Sequence, residues 1–200
     1  MGLIHITTQH EGKMTGMQSI STSSRQNPYC QQRIKDGDSV CIKCYAERLM
    51  KMRPRIDTCM QRNGELLSSK VIDPDYLPEV NVLYFRFEAF GDLINVTHVI
   101  NYFNICKKNP ETHFALWTKN PGLIDQAIKS GEEKPKNLRI VYSSPKLNQV
   151  YEPQYDFIDK IFTVYTKDAD VKINCGKKKC IDCKLCYKEN KVRYINERVK

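Results

Sequence analysis

Val82-Leu83-Tyr84-Phe85-Arg86-Phe87 is an almost unbroken apolar and aromatic run, the pattern of a strand buried on both faces. The stretch after it reads as a helix. Asn95 is placed to cap it, Val96, Val99, Ile100, Phe103 and Cys106 form one apolar stripe, and Asn109-Pro110 ends it. Residues 113–117 make another short apolar strand. Asn120-Pro121 then opens a helix with Asn as cap and Pro at the first position, and Gly131 closes it. Residues 138–142 and 161–165 are two further strands, with loops at 134–136 and 145–153. Upstream, residues 15–21 suit a first strand. Residues 45–53 suit a helix that must stop at Pro54, and residues 57–67 suit a second one. Strands alternating with helices predict parallel βα units, so the fold class is α/β: five strands in a partial (β/α) barrel or an open parallel sheet. In either architecture chemistry gathers at the carboxyl ends of the strands. That nominates the loops after Ser21, Phe87, Trp117, Val141 and Tyr165.

The 200 residues suit one domain with a small appendage and fall short of the roughly 250 of a complete eight-unit barrel. The expected division is an α/β domain over 1–170 and a basic cysteine-rich segment over 171–200. No run approaches the roughly 18 apolar residues of a membrane span. Met1-Gly2-Leu3-Ile4-His5 leads into polar residues with no signal-peptide core, and Ile6 stands where a Gly2 lipidation motif wants Ser or Thr. The expected compartment is the cytoplasm, where nine cysteines read as metal ligands or chemistry rather than disulfides. A P-loop, a G-x-G-x-x-G turn and a hydrolase nucleophile elbow are all missing from the sequence.

Seven cysteines fall into two groups. Cys30 precedes the pair Cys41-Ile42-Lys43-Cys44 on the loop after the first strand. Three thiolates there could hold a [4Fe–4S] cluster with one iron open, or a zinc ion with a fourth ligand from elsewhere. Cys175, Cys180, Cys183 and Cys186 form the second group. Its C-x2-C-x2-C core has the spacing of cubane-binding ferredoxin loops, whereas zinc sites more often use two separated C-x2-C pairs. Cys106, on the helix stripe, and Cys59 read as core thiols, and Trp117 reads as a core aromatic of its strand. The four histidines read as structural or solvated.

The net charge is +9, and residues 171–200 hold ten Lys or Arg against three acids. Lys177-Lys178-Lys179 is the densest run. It can serve as a nucleic-acid footprint, as a solvated tail, or as an offset to the negative charge of thiolates in the same segment.

The run Cys41-Ile42-Lys43-Cys44-Tyr45-Ala46-Glu47 resembles the cysteine loop of phage-associated proteins related to the radical S-adenosylmethionine (SAM) enzymes. Ser19 to Ser23 with Asn27-Pro28-Tyr29-Cys30, Arg86 to Asp92, His113 to Lys119 and the terminal cysteine cluster are similar as well. The resemblance departs from the common radical SAM spacing, since ten residues separate Cys30 from Cys41 and Lys43 stands before the last cysteine. It implies a radical-SAM-like fold with one or two [4Fe–4S] clusters at the two cysteine groups and SAM at the open iron. Glu88, Gly91 and Asp92 would then hold SAM or substrate, and Thr118, Lys119, Ser143 and Ser144 would line the pocket. Two other functions fit the same residues: a metal-stabilised protein that binds nucleic acid through the basic segment, and an electron-transfer module without SAM.

Overall fold

In the computed structural model, which describes residues 4–176 and 178–199, the aromatic run becomes an inner strand of a six-stranded sheet. The strands are β1 (Gln18–Ile20), β2 (Tyr84–Phe87), β3 (His113–Thr118), β4 (Leu138–Ser143), β5 (Lys160–Tyr165) and β6 (Tyr194–Arg198). They lie side by side in chain order, and every neighbouring pair is parallel. Five helices of eight residues or more connect them, α1 (Pro28–Lys35), α2 (Tyr45–Met52), α3 (Pro54–Ser69), α4 (Val96–Lys108) and α5 (Gly122–Lys129), and a single helical turn, Cys180–Cys183, lies between β5 and β6. The protein is therefore α/β with an all-parallel sheet.

Alternation along the strands separates two faces. Ile20, Phe85, Phe87, Phe114, Leu116, Leu138, Ile140 and Ile161 pack beneath the helices against Leu67, Val99, Phe103, Ile124 and Ala127. The ring of Phe87 stacks between Tyr102, at 4.1 Å, and Phe114, at 5.0 Å. On the other face Met17, Tyr84, Ala115, Val141, Phe162 and Ile195 are covered by the cysteine-rich segment, through Ile181, Leu185, Tyr187 and the cysteines themselves.

Several elements differ from the sequence reading. Five strands were expected, and the sixth, β6, lies inside the basic segment. Its single inward apolar residue, Ile195, is too weak a signal among so many charges, and pairing with β5 along five residues supplies what propensity does not. The first strand is shorter than 15–21, because Met17 N–H donates to Met14 O and Thr15 N–H to Gly12 O in a turn. The helix expected over 57–67 spans Pro54–Ser69, with Pro54 at its first position. The helix after Asn120 begins at Gly122 with Pro121 as its cap residue, and no side chain caps it. Asn95 does cap α4, accepting from His98 N–H at 3.0 Å. Among the described residues no helix is long and apolar enough to cross a membrane.

Candidate functional site

The carboxyl ends of β1 to β4 carry the first cysteine group. After β1 the chain runs through the buried residues Ser21 to Ser24 to Asn27, which caps α1. Asn27 Oδ1 accepts from Tyr29 N–H at 3.0 Å and Cys30 N–H at 3.4 Å, while its Nδ2 donates to Asp92 O at 2.8 Å. Cys30 thus stands in the first turn of α1 rather than on a free loop, and one amide ties it to the segment after β2. Cys41 lies in a 3-10 turn, Val40–Lys43, held by Ser39 Oγ and by the bond from Val40 N–H to Pro145 O at 2.8 Å. Cys44 immediately precedes α2 and ends that turn, its N–H donating to Cys41 O at 3.0 Å. Tyr45 O–H anchors the start of α2 on Ala89 O. Burial pushes the Cys30 thiol pKa up, and the charges of Asp92, Glu88, Cys41 and Cys44 push it the same way. Cys41 and Cys44 thus lie within electrostatic reach of Cys30, as do Glu88 and Asp92.

Glu88 and Asp92 are the carboxylates of this end, and both are buried. Glu88 has a left-handed backbone, φ 53°, which swings its side chain under the loop. It accepts from Tyr102 O–H at 2.6 Å and from Thr22 N–H at 3.2 Å. His98 Nε2 lies 3.6 Å away without a hydrogen-bond partner. Burial foremost, with the Asp92 charge, pushes the Glu88 pKa up to about 8, against the lowering bonds from Tyr102 and Thr22. Burial pushes His98 down to about 3, so it is a neutral ring whose Nδ1 accepts from Ile94 N–H at 3.3 Å. Gly91 has φ 74°, and a Cβ there would lie 2.4 Å from Thr22 O, so only glycine fits.

Asp92 accepts from Thr118 Oγ1 at 2.5 Å and from Lys119 N–H at 2.8 Å. Lys119 Nζ donates to Ser143 Oγ at 2.9 Å, and Lys119 O accepts from Tyr29 O–H at 2.7 Å. Ser144 Oγ shares a bond with Thr163 Oγ1 at 3.1 Å. Glu88, Gly91, Asp92, Thr118, Lys119 and Ser143 are thus joined along β2 to β4, and Ser144 faces β5. The two carboxylates spend their acceptors on the protein itself and brace the strand ends against the cysteine loop.

The second group lies on the helix-free face of the sheet. Cys175 N–H donates to Asn196 O at 3.0 Å, a bridge onto β6. Cys180 and Cys183 begin and end one helical turn, which Lys184 terminates in the left-handed region at φ 57°, and the chain then turns back to Cys186. All four thiols line one cavity of about 190 Å³, with Lys13, Lys178 and Lys184 also on its wall. Lys13 Nζ is 3.5 Å from Cys175 Sγ and ion-pairs with Glu197 on β6. Burial pushes the Cys186 pKa up to about 12. Arg86 opposes that shift, while Cys175, Cys180 and Cys183 add to it. Of the basic run, Lys178 faces the cavity, Lys179 leads into the helical turn, and Lys177 lies outside the described residues.

All nine cysteines are free thiols. Cys106 is buried under the sheet as expected, whereas Cys59 is half-buried. Among the described residues no three His, Cys, Asp or Glu side chains are arranged to hold a single metal ion. Sequence reasoning missed Lys13, Arg86 and His98 as neighbours of these groups. Arg86 carried a signal, being the one charge within an apolar strand. Lys13 and His98 carried none, since only the fold brings them in.

A family model described as gene product 88 matches residues 7–198. No curated protein and no solved structure matches the chain.

Proposed function

The chain belongs to the gene product 88 family, and on the arrangement of its cysteines we propose that it is an iron–sulfur protein of radical-SAM-like type. On this reading Cys175, Cys180, Cys183 and Cys186 hold one [4Fe–4S] cluster, and Cys30, Cys41 and Cys44 hold a second with one iron open to SAM. The observation that carries the reading is the cavity of about 190 Å³ that all four C-terminal cysteines help to line. A zinc ion draws its thiolates to about 2.3 Å, onto one point. A cubane takes each thiolate at a different iron, so its ligands stand around a volume. The lysines beside the thiols supply the positive charge that such a centre needs, and this favours charge compensation over a nucleic-acid footprint.

A partial barrel fits the same picture. Five inter-strand steps of about 4.8 Å would set β1 and β6 roughly 24 Å apart in a flat sheet. Lys13, in the turn ahead of β1, nonetheless pairs with Glu197 on β6. Curling of the sheet turns its helix-free face inward, and the cysteine-rich segment fills that inside.

Bound at these sites, iron–sulfur clusters would supply one-electron transfer and, with SAM, its reductive cleavage. The chain's own residues fix the ligands. Asn27 sets the first turn of α1, Gly91 lets the loop after β2 pass against Thr22, and Asp92 binds that loop to Thr118 and Lys119. Free thiols throughout suit a reducing compartment such as a cytoplasm.

Protein purified without oxygen is expected to contain about eight iron and eight sulfide per chain, two cubanes. A variant lacking Cys30, Cys41 and Cys44 should retain about four. With a strong reductant and SAM, the intact protein should form 5′-deoxyadenosine and the variant should not. Iron and sulfide without that product would leave an electron-transfer module. Zinc without sulfide would overturn the reading and favour nucleic-acid binding, recognisable by a steep loss of affinity with salt.

A further inference from the structure

Among the described residues, no acidic side chain forms an ion pair with Arg86. Alternation on β2 turns it to the face covered by the cysteine-rich segment. Its guanidinium carbon lies 4.3 Å from the centre of the Trp117 ring. One terminal nitrogen reaches Met14 Sδ at 3.6 Å and the other reaches Glu88 O at 3.5 Å, both marginal contacts. Its Nε is buried with no partner, and so is the indole Nε1 of Trp117.

Two stacked donors with idle buried nitrogens are an unstable arrangement unless an anion meets them. Met14, which Arg86 touches, packs together with Trp117, Cys180 and Cys186 against the group around Met17, Tyr84 and Ala115. Trp117 and Cys186 pack against the same two apolar groups, one around Met17, Tyr84 and Ala115 and the other around Val141, Phe162 and Ile195. Of the lysines near these thiols, Lys13 is paired with Glu197, while Lys178 and Lys184 also line the cavity. Arg86 differs from these lysines in that its Nε is buried without a partner.

We infer that Arg86 and Trp117 form a donor pair that tunes the C-terminal centre, the guanidinium offsetting its negative charge and the indole N–H donating toward its sulfurs. The inference rests on the cluster proposed at Cys175, Cys180, Cys183 and Cys186. Reduction of that centre takes one electron from an external low-potential donor, which is oxidised, and leaves the centre one charge more negative. A fixed positive charge and donated hydrogen bonds favour that state, so the pair raises the midpoint potential.

The test uses the full chain with Cys30, Cys41 and Cys44 replaced by Ala, so that a single centre is read. Iron and sulfide are counted, and the midpoint is measured by titration with dithionite followed by electron paramagnetic resonance. Arg86→Gln should leave iron and sulfide in place and lower the midpoint by a tenfold or larger change in the reduction equilibrium, about 59 mV for one electron. Arg86→Lys should recover part of the shift, and Trp117→Phe should lower the midpoint by less than Arg86→Gln. Should Arg86→Gln fail to load, the other two variants carry the measurement. Unchanged midpoints in loaded variants overturn the donor pair while leaving the cluster standing. Absence of iron and sulfide from the triple-Ala parent itself overturns the cluster reading and the donor pair with it.

Discussion

Glu88 joins burial, strain and proton binding in one residue. Its carboxyl holds a proton up to about pH 8 in the folded protein, against 4.5 for the free side chain. Folded chains then bind more protons than unfolded ones between these values, so stability falls as pH rises through that window. His98 acts in the opposite sense: lowered from 6.5 to about 3, it contributes stability above pH 6.5 that is lost as pH falls toward 3. Between pH 6.5 and 8 Glu88 titrates and His98 does not. Urea unfolding across that interval should show stability falling with pH by up to roughly 2 kcal/mol. Glu88→Gln, which mimics the protonated form, should flatten the slope. An equal slope in the variant would place the proton elsewhere.

At the scale of elements, α1 ties the first cysteine group to the sheet. Asn27 caps the helix with its oxygen and reaches Asp92 O and Leu93 O with its nitrogen, so one side chain registers Cys30 against the end of β2. Asn27→Ala should cost about 1–2 kcal/mol in chemical denaturation, the usual loss for a helix cap. It should also strip iron from the first group while about four iron remain at the second. Loss of both in parallel would show that the cap matters to the whole fold and not to Cys30. The opening of α5 shows why caps are hard to read from sequence. Asn120-Pro121 has the right residues, but the Thr118 hydroxyl accepts from Asn120 N–H at 2.8 Å and binds that residue into the turn after β3.

For the whole molecule, the cysteine-rich segment is both the proposed ligand set and a wall of the core. It covers Val141, Phe162 and Trp117 and then supplies β6. A chain ending at residue 170 should lose that cover and leave β5 as an open edge. It should elute as aggregates in size-exclusion chromatography and unfold without a cooperative transition. A monomeric, cooperatively folding 1–170 would instead make the segment a separable appendage.

The α/β class and the order of the inner strands and helices were legible in the residues alone. Buried parallel strands read as apolar runs, which is a local signal. β6 was not legible, because an edge strand with one inward apolar residue owes its existence to its neighbour. Nor could the sequence place Lys13 beside Cys175 and Glu197, stack Arg86 on Trp117, or bury Glu88 beside His98. Those meetings join residues far apart in the chain, and only the packing of the sheet decides which side chains share a space from which water is excluded.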